Sequence, residues 1–211
     1  MGKKTKAEAE KTREALLDAA EHIFCSRGVS RTALAEVAEA ASMTRGAIYW
    51  HFKNKGDLFH ALHERATHPL YQRFDEQVVD SAEDPIRRLR DSVLHCLGDL
   101  ASNERTQRML QILLYKCEYV EEMGEVLDEI ERSEAWFTER LQEVIERSRQ
   151  LGLVDADLSP QMATISLHAF VTGLMREWVR RPESFDLKSE AQQLIDRFLR
   201  GWGYRPPQLA G

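Results

Sequence analysis

The sequence predicts an all-α protein of about nine helices, and three observations carry that prediction. Apolar residues recur at intervals of three and four along nearly the whole chain, with no convincing two-residue alternation. Asp84-Pro85 and Ser159-Pro160 each place a proline directly behind a capping residue, the pattern that starts a helix. The chain has 211 residues, 43% hydrophobic and 30% charged, so it can bury a core but is too charged for a membrane bundle and too apolar for a disordered polyelectrolyte. Its longest stretch without a charge, 158–175, still contains Ser159, Pro160, Thr164, His168 and Thr172 and reads as a buried helix. The basic N-terminus leads into no apolar segment, so no secretory signal is expected and the expected location is cytoplasmic. Cys25, Cys96 and Cys117 are odd in number, far apart and never in a C-x-x-C pair, which predicts small core residues and no thiolate zinc site.

The elements follow in order. Leu16, Ala19, Ala20, Ile23 and Phe24 share one face of a first helix, which Gly28 stops at a left-handed position. Thr32 is expected to cap a short second helix with Leu34, Val37, Ala38 and Ala41 inward, and a third short helix runs from after Ser42-Met43 to about Trp50. Asn54 caps a fourth, with Asp57 as a shortened capping-box acid; it extends toward Val79, with a kink or break expected at Pro69. Asp84-Pro85 opens the helix carrying Ile86, Leu89, Val93, Leu97 and Leu100, and Ser159-Pro160 opens the uncharged one. Between them lie a helix near 106–115 and a long one near 123–151, ended by Gly152. The last helix, about 186–202, has Leu187, Ala191, Leu194, Ile195, Phe198, Leu199 and Trp202 spread wider than one core-facing stripe, so it is expected to touch both its own core and a partner. The tail from Tyr204, with Pro206-Pro207, reads as loose.

Net charge is −6, yet it is polarised: residues 1–60 carry +2 and the remainder −8. Between Glu39 and Asp57 the only charges are Arg45, Lys53 and Lys55, so an anion would land there. Two short helices joined by a tight turn form a helix-turn-helix, whose second helix can enter a major groove about 12 Å wide. That helix offers Arg45, the nearly bare Gly46 and Ala47, and three aromatics in Tyr49, Trp50 and His51, while Ile48 and Phe52 point inward. Small residues let the backbone approach base edges, and donors on Tyr49, His51 and Lys55 reach phosphates. The alternative is a minor helical hairpin with exposed aromatics.

The runs Arg31-Thr32-Ala33-Leu34-Ala35-Glu36-Val37-Ala38 and Met43-Thr44-Arg45-Gly46-Ala47-Ile48-Tyr49-Trp50-His51-Phe52-Lys53-Asn54-Lys55-Gly56-Asp57-Leu58 closely resemble the tetracycline-repressor (TetR) family. The likeness is greatest to its AcrR-like branch of multidrug efflux repressors, strong over residues 10–65 and fainter in 116–119 and 170–178. The resemblance implies a helix-turn-helix DNA-binding domain over 1–55 and a ligand-binding and dimerisation domain over 56–211. It implies that Arg45, Gly46 and Ala47 face bases, that Thr32, Thr44, Tyr49, His51 and Lys55 hold the phosphate backbone, and that Trp50 packs under the helix. Lys3, Lys4 and Lys6 read either as a minor-groove arm or as solvated tail charge. Two departures from the family pattern are Ala33, where a second threonine is common, and Ser42, where glycine is common in the turn.

On the uncharged helix Thr164, His168, Thr172 and Arg176 recur at every fourth position, a polar stripe that suits a semi-buried cavity wall or, alternatively, an ordinary half-exposed face. His95, Cys96, Gln111, Tyr115, His168, Thr172 and Arg176 are the polar pocket candidates, with apolar lining from Leu97, Met109, Ile112, Leu113, Val144 and Val171. Trp178, Leu194, Phe198 and Trp202 are the expected anchors of a homodimer interface. His63 and His68 are five apart and cannot share a zinc as a zincin pair does; His60 with His63 keeps a metal-sensing regulator open as an alternative. No G-x-S-x-G, G-x-x-x-x-G-K-[ST] or G-x-G-x-x-G occurs. The expected activity is therefore that of a ligand-responsive repressor of an efflux operon, with no catalytic residue, metal or cofactor, released from palindromic duplex DNA by a hydrophobic or aromatic molecule. An all-helical enzyme using the same cavity is the remaining rival.

Overall fold

A computed structural model describes residues 6–79, 84–117 and 124–205. Among the described residues there are nine α-helices and no strand: α1 Lys6–Arg27, α2 Leu34–Ala40, α3 Arg45–His51, α4 Lys55–Phe74, α5 Pro85–Ser102, α6 Glu104–Gln111, α7 Gly124–Gln150, α8 Pro160–Arg180 and α9 Leu187–Arg200. The turns Asp75–Val79 after α4 and Ile112–Lys116 after α6 are π-helical. Lys3, Lys4, Glu118, Tyr119 and the tail from Pro206 lie outside the described residues. No described helix is long and apolar enough to cross a membrane.

The chain forms two compact units, Met1–Thr67 with Arg105–Glu131, and His68–Glu104 with Arg132–Gly211. The division does not fall at the expected 55/56 boundary. Met109 and Ile112 are buried in the same cluster as Leu16, Phe24, Ile48 and Leu58, so the first unit recruits α6 to complete its core. Burying each such side chain is worth roughly 1.5–3 kcal/mol, which adds to what the short helices of the head bury among themselves.

Local chemistry sets the ends of the head's elements. Gly28 has φ +91 and ends α1 as predicted, its N–H donating to the Phe24 carbonyl at 2.9 Å, and the Val29 N–H then donates to the Lys116 carbonyl at 2.9 Å. Thr32 corrects the sequence reading: it is only 2% exposed and donates its hydroxyl to the Gly28 carbonyl at 2.8 Å. The cap of α2 is Ala33, whose N–H donates to Glu36 at 2.8 Å. The loop thus spends its hydroxyl on the orphan carbonyl at the end of α1. The Asn54 side-chain Oδ1 accepts from the Asp57 N–H at 2.8 Å and the Asp57 carboxylate accepts from the Lys53 N–H at 2.9 Å, as the capping pattern predicts. Pro69 lies inside α4, which is not broken there and continues to Phe74.

Glu21 of α1 is buried, and its carboxylate accepts from Arg65 of α4 and Arg108 of α6, each at 2.8 Å. Arg65 also donates to Glu14 at 3.1 Å and Asp18 at 2.8 Å. A desolvated carboxylate persists because it is paired and hydrogen-bonded.

In the second unit α5 packs on α9. Asp84 caps α5 by accepting from the Arg87 N–H at 2.9 Å and also receives the Tyr204 hydroxyl at 2.6 Å. Arg90 of α5 grips Asp196 of α9 through two donors. Ser159 caps α8 and Gly152, at φ +69, ends α7, both as the sequence predicts.

Candidate nucleic-acid interface and ligand cavity

The turn between α2 and α3 closes with the Met43 N–H donating to the Ala38 carbonyl at 2.8 Å, and Ser42 takes φ +56 to make it. Serine there accepts backbone strain that glycine would avoid. Thr44 then caps α3, its hydroxyl oxygen accepting from the Ala47 N–H at 3.2 Å. Ile48 and Phe52 are buried, which fixes the opposite face outward. That face carries Arg45 and Gly46, both exposed, half-buried Ala47, and Tyr49 at 47% exposure, with the Arg45 guanidinium 5.5 Å from the Tyr49 ring centre. Trp50 corrects the sequence reading: it is 72% exposed and meets half-buried His51 edge to face at 4.5 Å. The inward positions belong to Ile48 of α3 and to Phe52 just past its end, so the indole between them has no core to enter.

Gly46 is informative because the chain itself does not need it. A Cβ at that position would meet only the Thr44 hydroxyl oxygen, at 3.9 Å. Glycine in a helix costs about 1 kcal/mol relative to alanine, and nothing inside the protein repays that cost. A surface that must come within contact of another molecule's backbone or base edge does. Lys55 donates its ammonium to the Ser30 carbonyl at 2.8 Å, bracing the loop before α2 while two of its protons stay available.

The second unit contains an open-mouthed cavity of about 280 Å3. Its walls are the end of α4 (Leu70, Tyr71, Phe74), α5 (Leu89, Val93, Cys96), α7 (Phe137, Leu141) and α8 (Leu167, His168, Val171, Thr172, Met175), with Arg73 and Glu134 among the polar members. Tyr71 stacks on Phe137 at 5.5 Å and Phe74 meets Phe137 at 4.7 Å, a cluster suited to planar apolar molecules. Burial pushes the Cys96 thiol up to about 11, Asp99 adding to the rise, so it is a neutral lining group. Burial, with Glu134 beside it, also raises the Tyr71 phenol, which remains a proton donor.

His95, Cys96, His168, Val171 and Thr172 of the expected pocket stand on this wall. Leu97 and Val144 are buried in the same unit but off the wall, and Arg176 is exposed and off it. Met109, Gln111, Ile112, Leu113 and Tyr115 are corrected outright: they belong to the first unit, where Gln111 accepts from the Cys25 thiol at 3.1 Å and Leu113 packs on the core. The apolar face of α6 is consumed there. Sequence reasoning missed Tyr71, Phe74 and Phe137; the available signals were the three-residue spacing of the first two and an aromatic pair, Trp136-Phe137, within the highly charged α7.

Two of the expected dimer anchors are also corrected. Trp178 and Trp202 are buried within the protomer, and half-buried Phe198 stacks on Phe170 at 4.7 Å; Leu194 is half-buried. Large apolar side chains instead stand outward on α8 at Met162 and Ile165, 63% and 53% exposed. Of the histidines considered for metal, His63 is buried, its basicity lowered by burial first and by neighbouring His60 second, and His60 lies 3.4 Å from Glu129. Among the described residues no group of three or more His, Cys, Asp or Glu is placed to hold a metal.

Comparison with known proteins matches residues 16–62 to the family described as bacterial regulatory proteins, tetR family, and residues 84–204 to the C-terminal region of MAATS-type transcriptional repressors. The chain is 37% identical over 198 residues to the HTH-type transcriptional regulator AcrR of Shigella flexneri, covering 92% of this chain and 91% of that one. It superposes on NalD, the secondary repressor of the MexAB-OprM multidrug efflux pump in Pseudomonas aeruginosa, with a TM-score of 0.83 and 36% identity, over 92% and 96% of the two chains. It also superposes on SmeT, the repressor of the Stenotrophomonas maltophilia efflux pump SmeDEF, in a complex with triclosan, with a TM-score of 0.82 and 31% identity, over 95% and 98%.

Proposed function

The chain belongs to the tetR family of bacterial regulatory proteins, and we propose on that premise that it is a ligand-responsive repressor of a multidrug efflux operon. The observation that carries the reading is the outward face of α3, where a glycine the fold does not require sits between Arg45 and an exposed aromatic pair. Arg45, Gly46, Ala47 and Trp50 lie against bases, and Thr44, Tyr49, His51 and Lys55 hold phosphates. The protein works in the cytoplasm as a homodimer through α8 and α9, with Met162 and Ile165 covered by the partner. Two copies of α3 about 34–36 Å apart then read a palindrome. The protein is not an enzyme.

A hydrophobic or aromatic molecule enters the cavity beside Tyr71, Phe74 and Phe137. Helix α4 starts beside α3 in sequence at Lys55 and carries Leu70, Tyr71 and Phe74 on the cavity wall, so displacing its far end redirects the head. Coupling of about 1–3 kcal/mol is enough to release DNA. The test is a mobility shift on the duplex upstream of the protein's own gene, with triclosan as the probe ligand. Binding that high salt abolishes and triclosan weakens is expected; a chain that retards no duplex at low salt overturns the proposal.

A further inference from the structure

The first unit holds a second hollow that the repressor reading leaves unused. It has a volume of about 460 Å3 and lies where α1 ends against the π-helical turn after α6. Its lining includes Arg27, Arg31 and Lys116, the hydroxyl-bearing Ser30 and Tyr115, and Gly28, with no acidic residue. Arg27 gives one donor to Glu36 at 3.0 Å. Arg31 and Lys116 are both exposed and, among the described residues, neither has an ion-pair partner. In a chain of net charge −6, three cations gathered around one concavity without a carboxylate in its wall make a local field that draws anions.

The walls are held in place. Gly28 at φ +91 and the Val29 N–H to Lys116 carbonyl bond fix the two backbone segments side by side, and the Lys55 ammonium bound to the Ser30 carbonyl braces the loop from the other side. Ordering the site on binding therefore costs mainly the side chains of Arg31 and Lys116. The volume falls within the range of small-molecule sites, about 300–1,000 Å3, which leaves room beyond a single phosphate group. Tyr115, 41% exposed, offers a ring against which a planar base can stack.

We propose that this hollow is a binding site for nucleotide-type phosphoanions, with Arg31, Lys116 and the remaining donors of Arg27 holding the phosphates and Tyr115 contacting the base. The same chemistry reaches the site from two sources, a free nucleotide or a strand of bound DNA. The experiment uses the full chain and its Arg31→Gln/Lys116→Gln double variant, with Arg31→Lys/Lys116→Arg as the charge-conserving control. All three are checked for equal thermal stability, which the exposure of both side chains predicts.

In the first arm pyrophosphate and ADP are titrated calorimetrically at low ionic strength. Saturable binding that falls at least tenfold in the double variant and returns in the control establishes a free-nucleotide site. In the second arm duplex affinity is followed against salt. If free anions do not bind but the log–log slope shrinks by about 1.8 in the double variant, the occupants are two DNA phosphates. Wild-type chain that ignores both anions, with a double variant of unchanged salt slope, overturns the proposal. A chain that binds no duplex at all defeats the repressor reading, while the first arm alone still decides this one.

Discussion

Phe24 and Phe137 are the same residue type on long helices, but they border different things. Phe24 is fully buried in a continuous cluster drawn from α1, α2, α3, α4 and α6, while half-buried Phe137 faces a cavity of about 280 Å3 beside Tyr71 and Phe74. The first unit adds a buried carboxylate clamped by arginines to its apolar core and has its hollow at the exposed, polar end of α1; the second has its cavity among aromatic side chains and, among the described residues, leaves the buried Thr164 hydroxyl without a partner. A surface that reads a fixed duplex gains from a core that holds one shape. A unit that accepts ligands of varied outline gains from space and from aromatic walls that can rearrange.

The largest expected effect tests that contrast directly. Phe24→Ala should lower stability by about 3–5 kcal/mol in chemical denaturation, whereas Phe137→Ala, which widens an existing void, should cost about 1–2 kcal/mol. Equal losses would erase the distinction between filled and unfilled cores. Glu21→Gln leaves Arg65 and Arg108 facing a neutral amide and should cost about 2–3 kcal/mol, with the loss reduced at high salt. A neutral result would show that the clamp adds nothing to the head.

Arg45→Ala should leave stability intact and relax base preference at one operator position, at about 1–3 kcal/mol in competition binding. Unchanged preference would remove Arg45 from base readout. The smallest effect is in pH. His63 is held below its ordinary value of 6.5, chiefly by burial, so the unfolded chain binds the proton more readily than the folded one. Stability of the head should therefore fall as pH drops below 6.5 and level off once the folded histidine also titrates. His63→Gln should flatten that limb; an unaltered acid limb would assign it to another group.

The elements most legible in the sequence are those set by neighbours a few residues away. Gly28, the Asn54 and Asp57 pair, Asp84-Pro85, Ser159-Pro160 and Gly152 stop or start helices by contacts within one turn, and each does so in the structure. The inward positions of Ile48 and Phe52 follow from helical period alone. What was not legible depends on which partner claims a face. The period of α6 announces an apolar stripe but not that α1 uses it, and so the sequence offers Met109 and Ile112 as cavity lining where the structure buries them against Leu16 and Phe24. Thr32 looks like a cap until the path after Gly28 turns its hydroxyl inward. Trp50, Trp178 and Trp202 show the same limit, because ring size signals burial or contact without saying which.

The central claim is that α3 is built to lie against duplex DNA, and Gly46→Leu tests it most directly. Leucine is a good helix former, and the chain offers only the Thr44 hydroxyl oxygen at 3.9 Å near the new Cβ, so the variant should fold and dimerise as the wild type does. Measured by fluorescence anisotropy on a labelled upstream duplex at low salt, its affinity should be about ten- to a hundredfold weaker, a cost of about 1.4–2.8 kcal/mol. A folded Gly46→Leu chain that binds the duplex as tightly as wild type would contradict the claim.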